Sequence, residues 1–288
     1  MTPLAHAGGS PWEFHLHPDV LLMVVLLACG YVLALRNLAP RKLGPGQAAA
    51  TGREKLFWGA GLLTLWVGAY WPVHEISEGY LFSVHMVQHM LFSFVAPPLL
   101  LMGLPKWFLR ALFRPPAVMR VVRILTRPLF ALVAFNAFVA ISHWPALVNY
   151  ALANELAHFS LHFVLVGTSL MMWWPVVDRL PELARLSDPT KMLYLFLQSV
   201  LPTVPASFLT FAETPIYSFY ATVPHPWLDV VSDQRLAGLV MKLGGGVLLW
   251  TIIAVLFFKW NAREERQEEV EVAWDDFERE LEVWELRK

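Results

Sequence analysis

The sequence predicts an all-α integral membrane protein built as a bundle of seven transmembrane helices. Of the 288 residues, 57% are hydrophobic and only 16% are charged, a composition outside the range of soluble globular proteins. A hydrocarbon core about 30 Å thick requires roughly 20 consecutive apolar residues from a helix. Runs of this kind occur at about 19–38, 55–73, 80–102, 128–148, 155–177, 191–211 and 235–259.

The positions of Lys and Arg predict the orientation of the bundle. Of the 22 Lys and Arg residues, 20 lie in four segments, 36–55, 103–127, 178–191 and 259–288. None lies in 1–35, 74–79, 149–154 or 212–234. Because short positive loops stay on the cytoplasmic side, we expect the N-terminus outside and the C-terminus in the cytoplasm. Arg235 and Lys242 are the two exceptions.

Three regions follow from this pattern: an outer tail at 1–18, a membrane domain at 19–260 and a cytoplasmic amphipathic helix at 261–288. Residues 262–288 hold 11 of the 23 acidic residues. A heptad-like apolar stripe in this region consists of Val270, Trp274, Phe277, Leu281 and Trp284. We expect the acidic helix to pack on the basic cytoplasmic loops. Docking of a cytoplasmic partner and self-association through 262–288 remain alternatives.

The cysteine content and the N-terminal residues add two expectations, on cysteine chemistry and on signal-peptide cleavage. Cys29 is the single cysteine, so no intrachain disulfide and no cysteine-based metal cluster can form. The first 19 residues lack the basic start of a signal peptide, and the first apolar run is long enough to remain in the membrane. We therefore expect no cleaved signal.

Two histidine pairs with the same spacing stand out in the apolar runs. His85 and His89 lie in the third run, and His158 and His162 lie in the fifth. A separation of four residues places both imidazoles on one helix face, about 40° apart and roughly 6 Å along the axis. Ionisable groups inside a membrane need partners, and two pairs at matching depth predict a metal site between the two helices. Interfacial packing and hydrogen bonding is the alternative.

The predicted orientation places all ten histidines on the outer side of the protein. His143 is a candidate fifth ligand or hydrogen-bond donor to a ligand, with a capped interfacial histidine as the plainer alternative. Glu155 lies one turn outward of His158 and is positioned to hold the other ring nitrogen of a ligand. It is equally explained as an acidic residue favoured at a helix N-terminus.

Three methionines and one lysine are further candidates near the histidine pairs. Met86 and Met90 flank the first pair, and Met241 is expected at a similar depth in the seventh run. Thioethers favour cuprous copper, although methionine in a membrane helix commonly serves as packing. Lys242 is expected to pair with an acidic residue, Asp233 or Glu213, or to extend its amine to the outer surface.

The two histidine pairs suit some metals and some kinds of metal chemistry better than others. Zinc, copper and iron all accept neutral imidazole, and copper binds most tightly among the divalent first-row ions. A zinc hydrolase needs a carboxylate base such as the Glu of H-E-x-x-H, and neither pair encloses one, so a metalloprotease would lack its base. One b-type haem, held by one histidine from each pair, remains an alternative. The sequence carries no glycine-rich phosphate loop and no indication of nucleic-acid binding.

The chain also resembles a known family. The segments LFSVHMVQHMLFSFVAPPLLLMGLP, HFSLHFVLVGTSLMMWWPVVD, PTVPASFLTFAETPIYSFY and DQRLAGLVM occur in order within residues 55–258. They resemble the CtaG family of cytochrome c oxidase assembly factors, the multi-spanning bacterial type linked to caa-type oxidases. Lys242 departs from the family, which often has Trp at this position.

The resemblance implies a non-enzymatic protein of the bacterial cell (inner) membrane that supplies copper to a maturing haem-copper oxidase. It implies that His85, His89, His158 and His162 carry this role. The expected partners are membrane lipid and subunits of the haem-copper cytochrome c oxidase. A scaffold that holds oxidase subunits without any cofactor is the third alternative.

The two depths within each pair generate a testable prediction. His85 and His158 are expected to lie about one turn closer to the outer surface, and a metal that is handed on needs an open coordination position. Replacing either residue should impair transfer more than equilibrium binding. Replacing His89 or His162 should abolish binding. Copper titrations of the four single variants check this, and equal losses at all four positions would instead indicate one closed cage.

Proton competition adds a pH dependence to the same titrations. A metal binds the neutral form of imidazole, whose ordinary pKa is about 6.5. The copper affinity of the wild-type protein is therefore expected to fall as the pH drops through about 6.5.

Overall fold

The computed structural model describes residues 12–183 and 186–285, apart from the side chains of residues 268–273 and 283. Throughout these ranges the regular secondary structure is helical, which confirms the all-α prediction. His6 of the predicted outer tail and the side chain of Val270 lie outside the described part of the chain.

Within the described ranges, six helical segments are long and apolar enough to cross a membrane. They are Pro18–Lys42, Gly52–Gly79, Phe82–Gly103, Glu155–Val177, Asp188–Phe211 and Val230–Gln267. A seventh crossing exists if Pro116–Leu125 and Pro128–Ser142, which meet at a 68° bend, form one span. The multi-spanning prediction is confirmed, and we number these seven spans in chain order, with the bent pair as the fourth.

The fourth span ends earlier than predicted. The sequence predicted one helix at about 128–148, whereas Pro128–Ser142 stops before His143 and a separate helix, Pro145–Leu152, follows. Trp144 adopts an extended backbone with φ −68° and ψ 126°. A residue before proline is sterically pushed out of the helical region, so Pro145 interrupts the helix. His143 therefore occupies the C-terminal end of the fourth span.

A short helix replaces a predicted outer loop. The second span runs as Gly52–Ala69 and then as a separate segment, Val73–Gly79. Glu75 and Glu78 are buried within this segment. The stretch VHEISEG has no apolar periodicity, and only its contacts with neighbouring helices explain why its charged groups are buried.

The seventh span continues into the C-terminal tail without a break. It comprises Val230–Leu239, a π-helical turn at Val240–Gly244 and one continuous helix, Gly245–Glu285. No Gly or Pro occurs after Gly246 in this helix, so no residue interrupts it. The described members of the apolar stripe are 48–70% exposed, namely Trp274, Phe277, Leu281 and Trp284. These four side chains therefore do not pack on the Lys- and Arg-rich loops as expected.

A proline pair shapes the third span just beyond its histidines. Pro97 has no N–H, so it cannot bond the carbonyl oxygen of Ser93 four residues earlier. That oxygen instead accepts a hydrogen bond from the indole nitrogen of Trp173 at 2.8 Å. A π-helical turn at Leu91–Val95 precedes the prolines. The interrupted helix thus joins the third span to the fifth.

Two buried polar side chains fix the rotation of the third span. The carboxylate of Asp233, in the seventh span, accepts from the backbone N–H of Phe82 at 2.6 Å and of Ser83 at 3.1 Å. These N–H groups begin the helix and have no partner within it. Gln88 donates from Nε2 to the carbonyl oxygen of Gly68 at 2.8 Å. Because Gln88 lies between His85 and His89, this bond orients both imidazoles.

Ion pairs gather the Lys- and Arg-rich segments at one end of the bundle. Arg179 Nη2 lies 2.6 Å from Glu54 Oε1, and Arg110 Nε lies 2.8 Å from Glu182 Oε1. Arg263 contacts Asp188 at the start of the tail. The histidine pairs lie toward the opposite end, because His85 is in the first turn of the third span. The assignment of the Lys- and Arg-rich end to the cytoplasm stays a prediction.

Close packing at Gly103 generates a stability prediction. A Cβ atom at Gly103 would lie 2.5 Å from the backbone nitrogen of Trp58, so Ala cannot fit without moving the second span. We expect Gly103→Ala to lower the free energy of unfolding by about 1–3 kcal/mol. Thermal unfolding of the protein in detergent measures the effect.

Gly167→Ala is the matched control, because a Cβ atom there would meet nothing within 4 Å. This change should leave the melting temperature unchanged or raise it, since Ala favours a helix over Gly by about 1 kcal/mol. Equal melting temperatures for the two variants would contradict the proposed contact.

Candidate metal centre

Four histidines from the third and fifth spans come together between the two helices. The ring centroid of His85 lies 5.5 Å from that of His158 and 5.6 Å from that of His162. One ligand nitrogen from each of these three side chains lies within 4.8 Å of the other two. Three imidazoles this close can share a single metal ion.

His89 joins this group through His162. The Nε2 atoms of the two residues are 3.3 Å apart. Two nitrogens bound to one tetrahedral ion at about 2.0 Å are themselves about 3.3 Å apart. His89 also lies beside His85, with ring centroids 4.4 Å apart, so it contacts two members of the group. The group of three combines His85 and His158, the predicted outer pair, with His162 of the predicted inner pair.

The burial of the centre favours a bound cation. His85 is 6% exposed, and its buried Nδ1 atom has no hydrogen-bond partner among the described residues. An unpaired buried nitrogen costs free energy, about 1–3 kcal/mol, which a metal ligand bond offsets. The four histidines line a cavity of about 30 Å³, enough for one ion or one water molecule. These residues fit a metal ion with imidazole ligands.

Glu78 supplies the carboxylate next to the centre. Its Oε1 atom lies 2.8 Å from Nε2 of His158 and 3.2 Å from Nδ1 of His74. A carboxylate on one ring nitrogen orients a histidine and leaves its other nitrogen, here Nδ1 of His158, for a metal. Glu155, the residue predicted for this contact, is exposed in the first turn of the fifth span.

The reason for this difference lies in tertiary structure. Glu78 belongs to the Val73–Gly79 segment, which the sequence indicated as a loop. The signal that could have found it is the presence of two carboxylates in VHEISEG between two membrane spans, since such groups need partners when buried.

A row of ligand-type side chains extends outward from Glu78. His17 Nε2 lies 2.8 Å from Glu75 Oε1, and the rings of His17 and His74 are 4.4 Å apart. The contacts therefore run from His17 through His74 and Glu78 to His158. This row connects the beginning of the first span with the histidine centre.

Tyr220, in the 212–229 segment, bonds the helix that carries Glu78. Its hydroxyl donates to the carbonyl oxygen of Ser77 at 2.7 Å. Burial, reinforced by the carboxylates of Glu78 and Asp233, raises the pKa of Tyr220 well above its ordinary value. The hydroxyl therefore stays protonated and keeps donating to the helix that carries Glu78.

The other predicted candidates occupy a neighbouring cavity. Met86, Met90, Met241 and His143 line it together with His89. The ring centroids of His89 and His143 are 6.1 Å apart. These four candidates are not among the residues that line the cavity of the four-histidine centre.

Lys242 does not make the predicted ion pairs among the described residues. It is half-buried in the π-helical turn of the seventh span, and Glu213 is exposed. Both oxygens of Asp233 accept backbone hydrogen bonds from the third span instead. The acidic partner expected for Lys242 is therefore committed to the start of the histidine-bearing helix.

Sequence comparison assigns the family. Residues 29–263 match the family described as Cytochrome c oxidase caa3 assembly factor (Caa3_CtaG). The chain belongs to this family. The match covers the four histidines, Glu78 and all seven spans except the first part of the first and the end of the last. It confirms the resemblance found in the sequence motifs.

Curated relatives of this caa3 assembly factor family member are longer proteins. Uncharacterized protein Mb0105 of Mycobacterium bovis is 27% identical over 282 residues, covering 88% of this chain and 41% of the relative. Uncharacterized protein ML1998 of Mycobacterium leprae is 25% identical over 243 residues, covering 73% of this chain and 35% of the relative. The chain thus spans less than half the length of these relatives. No solved structure matches it.

The contact between Glu78 and His158 predicts that metal binding depends on Glu78 and not on Glu155. Glu78→Gln removes the negative charge beside His158, and loss of such a contact weakens metal binding by about 10–100-fold. Glu155→Gln, the matched control on the exposed first turn, should leave the affinity unchanged. Isothermal titration of the purified variants with a divalent metal measures both. A larger loss for Glu155→Gln would contradict the arrangement.

Proposed function

We propose that this protein binds copper at the four-histidine centre and delivers it to a haem-copper cytochrome c oxidase during assembly. The observation that carries the proposal is the buried group of His85, His158 and His162, with ligand nitrogens within 4.8 Å of one another. The family description supplies the oxidase as the target. The ion is the cargo of this function.

The donor set supports copper over the hard cations. All four groups are imidazoles, which suit zinc, copper and iron and do not suit calcium or magnesium. Copper has the highest intrinsic affinity for nitrogen ligands among the divalent first-row ions. The centre thus has the chemistry for copper, and zinc is the competitor that the experiments must include.

The geometry supports a transferable ion. The three closest ligands leave a fourth position, and sites that keep such a position open exchange ligands more readily than closed cages. His162 lies within reach of His85 and His158, and its Nε2 atom is 3.3 Å from that of His89. The row from His17 through His74 to Glu78 offers oxygen and nitrogen ligands toward the end of the bundle opposite the Lys- and Arg-rich loops.

The alternatives are less well supported by this geometry. A b-type haem needs a pocket of several hundred Å³, whereas the cavity between the histidines is about 30 Å³. Hydrolysis needs a free carboxylate base, whereas Glu78 is already in contact with both His74 and His158. A scaffold without a cofactor leaves the unpaired Nδ1 atom of His85 unexplained.

Metal content of a triple variant tests the centre. We expect His85→Ala/His158→Ala/His162→Ala to lose bound copper, because it removes the three closest ligands together. His225→Ala is the control, since His225 lies outside the described cavity. Copper and zinc are measured by mass spectrometry of the protein purified in detergent, and an absorption spectrum checks for haem. Equal copper in the triple variant and the wild type would refute the proposed centre.

Oxidase maturation tests the role. Cells that carry only the triple variant should assemble oxidase with less copper and lower activity when copper is limiting, and added copper should restore part of the activity. The His225→Ala strain should match the wild type. Full oxidase copper in cells lacking the protein would contradict the delivery role.

A further inference from the structure

We propose a second metal station, specific for cuprous copper, in the cavity that borders the four-histidine centre. Its ligands are the Nε2 atom of His143 and the thioether sulfurs of Met90 and Met241, with Met86 beside them. This proposal depends on the proposed copper-delivery function only for the direction in which an ion would travel. Its binding chemistry is independent of the four-histidine centre.

The lining of the cavity concentrates sulfur in one place. Met86 and Met90 come from the third span and Met241 from the seventh, and together with His89 and His143 they border a space of about 20 Å³. Met86 is 2% exposed and Met241 is 5% exposed. The space admits one ion or one water molecule. Soft thioether ligands favour Cu(I).

His143 presents a free lone pair to this space. Its Nδ1 atom lies 2.7 Å from the carbonyl oxygen of Val139, and a carbonyl only accepts hydrogen bonds. Nδ1 therefore carries the proton, and Nε2 of the neutral ring carries a lone pair. This Nε2 atom is buried and has no hydrogen-bond partner among the described residues. A cation in the cavity would satisfy it.

Glycines in the seventh span let its backbone approach the sulfur of Met90. A Cβ atom at Gly245 would lie 3.7 Å from Sδ of Met90, and one at Gly244 would lie 4.0 Å from it. These glycines let the seventh span pack directly on Met90. Met241 lies in the π-helical turn Val240–Gly244, and such turns are frequent at functional sites.

The two cavities share a border. His89 and Ser142 line both of them, and the rings of His89 and His143 are 6.1 Å apart. An ion bound about 2 Å from a nitrogen of each ring fits within this separation. An ion held as Cu(I) at the four-histidine centre can therefore pass along His89 to the station, and this transfer changes no oxidation state.

X-ray absorption of the purified full-length protein tests the station. With two equivalents of Cu(I), the wild type should show sulfur scattering from thioether ligands, and titration against a Cu(I) chelator should detect a second bound equivalent. Met90→Leu/Met241→Leu conserves side-chain volume and should remove the sulfur scattering and that second equivalent. Zinc binding at the four-histidine centre should be unchanged in this variant, which shows that it is folded.

Two further proteins complete the design. Met171→Leu/Met192→Leu, at half-buried positions outside the cavity, is the matched control and should retain the sulfur scattering. The His85→Ala/His158→Ala/His162→Ala protein should also retain it, so failure of the four-histidine centre is distinguishable from failure of the station. Wild-type protein with nitrogen scattering alone would overturn the station, and so would equal Cu(I) binding by the wild type and Met90→Leu/Met241→Leu.

Discussion

Polar groups inside a hydrocarbon layer must find their partners within the bundle, and the arrangement of the third span depends on this requirement. Asp233 caps its start, and Gln88 bonds the carbonyl oxygen of Gly68. Farther along, the carbonyl oxygen of Ser93 is bonded by Trp173 from the fifth span. Each contact joins the third span to a different neighbour. Together they fix the depth and rotation at which the helix presents its two imidazoles to the fifth span.

The bundle separates two kinds of electrostatics at its ends. One end holds permanent charges in direct ion pairs, as between Arg179 and Glu54. The other holds imidazoles and carboxylates, such as His74 and Glu78, whose contacts are compatible with metal ligation. Guanidinium groups cannot bind a cation, and imidazoles can. The groups of the second end can therefore act as metal ligands, whereas the Arg residues of the first end cannot. This separation is a property of the whole fold.

The sequence predicted those features that one helix encodes by itself. Apolar runs located the spans, and the spacing of His85 and His89 placed both on one face because helical geometry is local. Features that need two segments were missed or assigned wrongly. Glu78 reaches the centre because the Val73–Gly79 segment packs against the start of the third span, and Pro145 ends a helix that apolar composition alone would extend. The grouping of three histidines with a fourth beside them likewise follows from how two helices cross.

The continuous helix Gly245–Glu285 connects the two ends of the seventh span. Its 41 residues span about 60 Å without a glycine or proline beyond Gly246. The run of three glycines that begins at Gly244 lies next to Met241, where this helix starts. Consecutive helical turns therefore join the buried Met241 to the exposed aromatic residues of the tail.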